Sequence, residues 1–142
     1  MLATIFALLV IYQVKHFLAD FALQTPYMFQ KGNEGWSFIR PLMAHCGVHA
    51  SFTCIIAYVV TGDFSLALLL AGFDFSMHFV MDRLKSRKKY LGRFKVLGSG
   101  ELTNANREAK CSDRYFWLSL GLDQAVHHVN NYAIIAYIVW QK

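Results

Sequence analysis

Four long apolar runs dominate this chain: Leu2 to Leu23, Leu42 to Val60, Phe64 to Leu84 and Tyr115 to Trp140. Each is close to the roughly 20 residues a helix needs to cross the hydrocarbon core of a bilayer. Such runs leave a chain few choices, because backbone amides in lipid must pair within their own helix. Composition agrees. Only 16% of the residues are charged and 56% are hydrophobic, against about 25% charged in an ordinary soluble domain. The sequence predicts an all-α integral membrane four-helix bundle, forming one membrane domain over residues 1–142. A disordered chain and a disulfide miniprotein are excluded, and Cys46, Cys54 and Cys111 read as small hydrophobes.

The interruptions have physical causes. Thr25 precedes Pro26 and is steered away from helix. Lys31-Gly32-Asn33-Glu34-Gly35 is turn chemistry, and Pro41 suits the first turn of the second helix. Thr61-Gly62-Asp63 is so short a link that helices two and three are expected to be antiparallel neighbours. The first run lacks the basic start and small-residue cleavage site of an export signal, so it is read as a retained helix. Gly92, Gly98 and Gly100 punctuate the loop over 85–114, which has room for a short interfacial helix.

Charge sets the expected orientation. Of the 14 Lys and Arg, nine fall between Lys85 and Arg114. With Lys31 and Arg40, the first and third loops carry eleven, while the termini and the middle link carry only Lys142. The positive-inside rule puts both loops in the cytoplasm and both termini outside, in a multi-pass protein of the inner, cytoplasmic membrane. Trp36, Trp117 and Trp140 fit an interfacial belt. The Lys85–Lys95 run is explained by topology and contact with anionic lipid alone, although Arg83 and the lysines after it would also attract an anionic head group or nucleotide.

All six histidines, and the acidic residues Asp20, Asp74, Asp82 and Asp123, lie inside the apolar runs. An ionisable group at membrane depth costs roughly 2.5–3.5 kcal/mol on insertion scales, so these groups need compensation. Their spacing suggests what supplies it. His16/Asp20, His45/His49, Asp74/His78/Asp82 and Asp123/His127 all recur at i, i+4, which stacks side chains on one helix face. At about 1.5 Å per residue from each cytoplasmic end, the pairs of the first three helices lie roughly 5 to 16 Å deep, and Asp123 and His127 roughly 13 to 20 Å. One layer in the cytoplasmic half of a bundle can hold them all.

For any single histidine, a hydrogen-bonded interhelical role is sufficient explanation. Four matched pairs point instead to a metal or proton-handling site. The expected ligands are His16, Asp20, His45, His49, Asp74, His78, Asp82, Asp123 and His127. Imidazole with carboxylate suits a divalent transition metal, zinc or manganese first, as one ion or two. Asp82 has a plainer alternative in pairing with Arg83 or Lys85. His128, Gln13, Gln24, Asn130 and Asn131 read as packing or supporting polar groups, and Gly47 and Gly72 as places where helices approach closely.

The strings HFLADFALQT, HCGVH, HFVMDRLK and GLDQAVHH, in that order, resemble a domain-of-unknown-function family, number 3307, of small polytopic membrane proteins of bacteria and phages. The resemblance covers nearly the whole chain apart from Gly98 to Cys111 and implies no particular activity. A looser likeness to small membrane-bound metal-dependent hydrolases rests on His and Asp in apolar helices. The leading expectation is a metal-dependent hydrolase acting on a phosphorylated lipid or nucleotide, with Asp20, Asp74 and Asp123 as candidate general bases. Its expected partners are membrane lipid, an anionic small molecule or phospholipid head group, and further copies of itself, with no nucleic acid. The alternatives are a divalent-cation or proton transporter and an oligomeric structural module.

Overall fold

A computed structural model of the chain describes residues 2–87, 90, 91 and 114–141. Most of the loop expected over 85–114, with its glycines, its interfacial helix and Cys111, lies outside the described residues. No strand occurs among those described. Helix α1 (Leu2–Phe17) runs directly into one π-helical turn (Leu18–Ala22). A short helix α2 (Pro26–Phe29) and a 3₁₀ turn (Gln30–Gly32) come next. Then come the long helices α3 (Ile39–Thr61), α4 (Phe64–Ser86) and α5 (Arg114–Trp140).

The boundaries obey local chemistry. Thr25 is extended, with ψ 161°, and Pro26 opens α2, where its missing amide costs nothing. Gly62 ends α3 in the left-handed region at φ +72°, its N–H donating to the Tyr58 carbonyl at 2.8 Å. Asp63 then caps α4, its Oδ1 accepting from the Leu66 amide at 3.0 Å. This pair of caps folds α3 and α4 into the antiparallel neighbours expected from the short link, and they make the most extensive helix contact among the described residues.

Three helical stretches, Leu2–Ala22, Ile39–Thr61 and Phe64–Ser86, are long and apolar enough to cross a membrane. Although α5 spans 27 residues, it is not among them. Asp123, Gln124, His127, His128, Asn130 and Asn131 dilute its hydropathy. Burial is inverted relative to a water-soluble protein: Phe6, Phe17, Phe21, Val59, Leu69 and Val129 are exposed, while His45, His49, Asp74, His78 and Asn131 are fully buried.

The interior changes character along its length. At one end Leu8, Tyr12, Ala57, Ala67, Leu70, Ile134, Ile135 and Ile138 form a close apolar cluster. Toward the other end each long helix turns polar on the same face, through Lys15 and His16, then Thr53, His49 and His45, then Asp74, His78 and Asp82, and finally Asn130, His127 and Asp123. Gly47 and Gly72 do not mark the close approaches expected of them, since a Cβ built on either meets nothing within 4 Å. Ser51 and Ser76 instead donate to their carbonyls, each at 2.8 Å.

A Cβ at Gly62 would also meet open space, so the cost of adding one is backbone strain alone. Gly62→Ala should lower the unfolding free energy by about 1–2 kcal/mol, and Gly62→Asn by less, in equilibrium unfolding of detergent-solubilised protein.

Candidate metal centre

Three groups of side chains offer donor atoms that all lie within 4.8 Å of one another: His16/His49/His78, Asp20/His45/His49 and Asp82/Asp123/His127. Together they contain eight of the nine residues expected from the sequence. Asp74 belongs to none of them.

Asp20 sits on the π-helical turn, whose Leu23 N–H reaches back five residues to the Leu18 carbonyl at 2.8 Å. Such turns insert a residue and re-aim the side chains around it. From here one carboxylate meets three imidazoles. Oδ2 lies 3.0 Å from His16 Nε2, and Oδ1 lies 3.2 Å from His49 Nε2 and 3.3 Å from His45 Nε2. His45 Nε2 is also 3.2 Å from Asp82 Oδ2, without hydrogen-bonding alignment to either carboxylate. The rings crowd together, with centroids 3.9 Å apart for His49 and His78, 4.3 Å for His78 and His127, and 4.9 Å for His45 and His49.

The tautomer of His78 is set by its partner. Nδ1 lies 2.9 Å from the Asp74 carbonyl oxygen, and a carbonyl only accepts, so Nδ1 carries the proton. Nε2 is buried and without a hydrogen bond. A ring nitrogen tied to a carbonyl while the other stays free is the usual arrangement of a metal-binding histidine. His16 Nδ1, His49 Nδ1 and His127 Nδ1 are likewise buried without hydrogen bonds, as are Asp82 Oδ2 and Asp123 Oδ1. Orphaned buried polar atoms are expensive, and imidazole nitrogens with carboxylate oxygens form a donor set that fits a transition metal.

Asp74 is already satisfied. Lys15 Nζ donates to its Oδ2 at 2.7 Å, Thr53 Oγ1 to the same oxygen at 2.7 Å, and Asn130 Nδ2 to Oδ1 at 2.6 Å. His78 Nδ1 lies 3.2 Å from Oδ1. Asp82 does not pair with Arg83 or Lys85. Its ammonium partner is Lys31, at 3.0 Å, while Arg83 stacks over Phe38 and donates to the Asn33 carbonyl at 3.1 Å. Lys85 pairs with Asp123, which places Asp123 level with the last turn of α4. The His127 ring lies 4.3 Å from that of His78, centroid to centroid. His127 therefore joins the same layer as the other histidines.

A cleft of about 280 Å³ opens onto this layer. Asp20, Asp82, Asp123 and His127 reach it, with Lys31 and Lys85 beside them. Among the supporting residues, His128 Nδ1 lies 3.2 Å from Gln13 Nε2, Gln24 borders the cleft, and Asn130 bonds between helices as expected. Cys46 is buried and in none of the three groups.

A family model described as "Protein of unknown function (DUF3307)" matches residues 5–142. No curated protein and no solved structure matches the chain.

Sequence reasoning missed Lys15, Thr53 and Gln124, the last of which lies 3.1 Å from His16 Nε2. The available signal was Lys15 itself, the one basic side chain besides His16 in an apolar run of this length. It is 2% exposed, so it needs a buried carboxylate. Removing one member of a buried ion pair strands the other charge, at about 3–5 kcal/mol. Lys15→Met should cost that much in detergent unfolding. The double variant Lys15→Met/Asp74→Asn should be more stable than Lys15→Met alone, because a neutral amide can accept from Asn130 through its oxygen and donate through its nitrogen to the Thr53 hydroxyl, with no charge left unpaired.

Proposed function

Given that the chain belongs to this family of unknown function, we propose that it is an integral membrane, metal-dependent hydrolase of phosphoesters. In this reading α5 crosses the membrane with α1, α3 and α4, its polar stripe turned inward, and a four-helix bundle results. The lysine and arginine bias supports cytoplasmic loops and external termini, which puts the cleft on the cytoplasmic side.

The observation that carries the proposal is the buried layer of imidazoles and carboxylates, several of their nitrogens and oxygens without hydrogen bonds, gathered in three donor groups beneath an open cleft. A neutral imidazole has one lone pair, so His49 serves one ion at a time. The three groups then reduce to two sites. One is buried, on His49 with either His16 and His78 or Asp20 and His45. The other lies at the cleft floor, on Asp82, Asp123 and His127. Zinc or manganese bound there would polarise a phosphoryl oxygen and acidify water. Asp20 and Asp123 border the cleft, which supports them as acceptors of the proton from an attacking water. Asp74, with its four partners, aims His78 and takes no proton.

Transport of a cation or proton is the second reading, and one observation weighs against it. The interior beyond Asp74 is filled by Tyr12, Leu8, Ala57, Ala67, Leu70 and Ile138, which favours a site reached from one end over a path through the bundle.

Elemental analysis of the purified protein should find one to two equivalents of zinc or manganese, and less than about half an equivalent would discredit the metal centre. His49→Ala and Asp123→Ala should each lose about half of the bound metal and abolish turnover of a phosphoester panel. His128→Ala should retain both metal and turnover.

A further inference from the structure

Two cations beside the cleft have no place among the metal ligands. Lys31 comes from the 3₁₀ turn, and its Nζ donates to Asp82 Oδ1 at 3.0 Å. Lys85 comes from the last turn of α4 and pairs with Asp123 Oδ2. The carboxylates they hold are two of the three donors at the cleft floor. Each ammonium holds one oxygen of its carboxylate and leaves the other, Asp82 Oδ2 or Asp123 Oδ1, without a hydrogen bond, and a dication brought to those free oxygens is repelled at short range in a poorly screened site.

Charge balance in the cleft favours an anion once a metal has bound. Three carboxylates (Asp20, Asp82, Asp123) and two ammonium groups line it, leaving one net negative charge among these five groups. One dication on the free oxygens turns that to one net positive charge and weakens the pull of each carboxylate on its lysine. Both ammonium groups border the same space, beside the Ser86 hydroxyl. At about 280 Å³, against roughly 30 Å³ for a water, the cleft has room for a phosphoryl group and part of the molecule that carries it.

Resting on the reading of Asp82, Asp123 and His127 as metal ligands, we propose that this cleft binds a phosphate-type oxyanion between Lys31 and Lys85, cooperatively with the metal. The lysines are stand-in cations while the metal is away and anion ligands once it arrives. Ammonium groups are suited to this double duty, since they pair as point charges without a fixed geometry. By linkage, each ligand raises affinity for the other by the same factor. Phe21 and Phe29 border the cleft and are 67% and 65% exposed, so a lipid-borne phosphate would find an apolar rim that free phosphate would not use.

The test titrates full-length protein, in nanodiscs of zwitterionic lipid, with Mn²⁺ monitored by electron paramagnetic resonance. Titrations run without anion, with inorganic phosphate, and with a short-chain phosphatidate. Either anion should tighten Mn²⁺ binding by about tenfold, within the range typical of coupled sites. Equal effects identify the phosphoryl group as the whole ligand, and a larger effect of the phosphatidate identifies a lipid headgroup. Lys31→Gln and Lys85→Gln should bind Mn²⁺ more tightly than wild type without anion, having lost the internal competitor, and should lose most of the enhancement. Lys31→Arg keeps the charge and should keep the enhancement. Mn²⁺ binding indifferent to both anions, or weakened by Lys31→Gln and Lys85→Gln in their absence, overturns this proposal while sparing the metal centre. No Mn²⁺ binding under any condition overturns both.

Discussion

Asp74 has no water to turn to, and the architecture is organised around that fact. Its carboxylate is fully buried in the middle of an apolar helix, where leaving a charge unpaired costs more than most folds can bear. The partners come from every other long helix: Lys15 from α1, Thr53 from α3 and Asn130 from α5. One side chain on α4 thus sets the rotation and height of three neighbours. Hydrophobic burial alone would not fix them, because helices that are greasy all round can slide and turn against one another at little cost. The same residue, through its backbone oxygen, also orients His78. Structural pinning and preparation of the histidine layer share a single anchor.

Above this anchor the interior changes from satisfied to unsatisfied. The Lys15–Asp74 level is closed, with both oxygens of the carboxylate engaged. One helical turn nearer the cleft, buried imidazole nitrogens and carboxylate oxygens are left without hydrogen bonds. Proteins seldom leave such atoms buried unless something else completes them. On the far side of the anchor the interior is apolar and closely packed. The molecule therefore grades from sealed, through pinned, to unsatisfied along one axis, and the cleft opens at the unsatisfied end.

Much of this was legible in the residues. Long runs interrupted at Thr25-Pro26 and Thr61-Gly62-Asp63 mark helices and a hairpin, because proline and a left-handed glycine act through local sterics. The i, i+4 recurrence of His and Asp marks a shared polar face, because helix periodicity is local too. Harder to read was the division of labour within that face. Asp74 and Asp20 look equivalent as sequence, each four residues from a histidine. They differ because Lys15 reaches one of them, and because a π-helical turn swings the other toward α3. Lys31 and Lys85 look like topological charges at loop ends, and only the fold shows that they neutralise Asp82 and Asp123.

The sequence by itself determined that the chain is helical, that it carries helices long and apolar enough for a membrane, and that its titratable groups recur at helical spacing. These properties depend on neighbours within a few residues, where propensity, periodicity and steric caps operate. Tertiary structure alone decided which carboxylate is locked in an ion pair, which imidazole nitrogens are left bare, and which lysines guard the cleft. Those outcomes depend on distances between residues far apart in the chain, and a buried charge takes whichever partner the packing of other helices brings within reach.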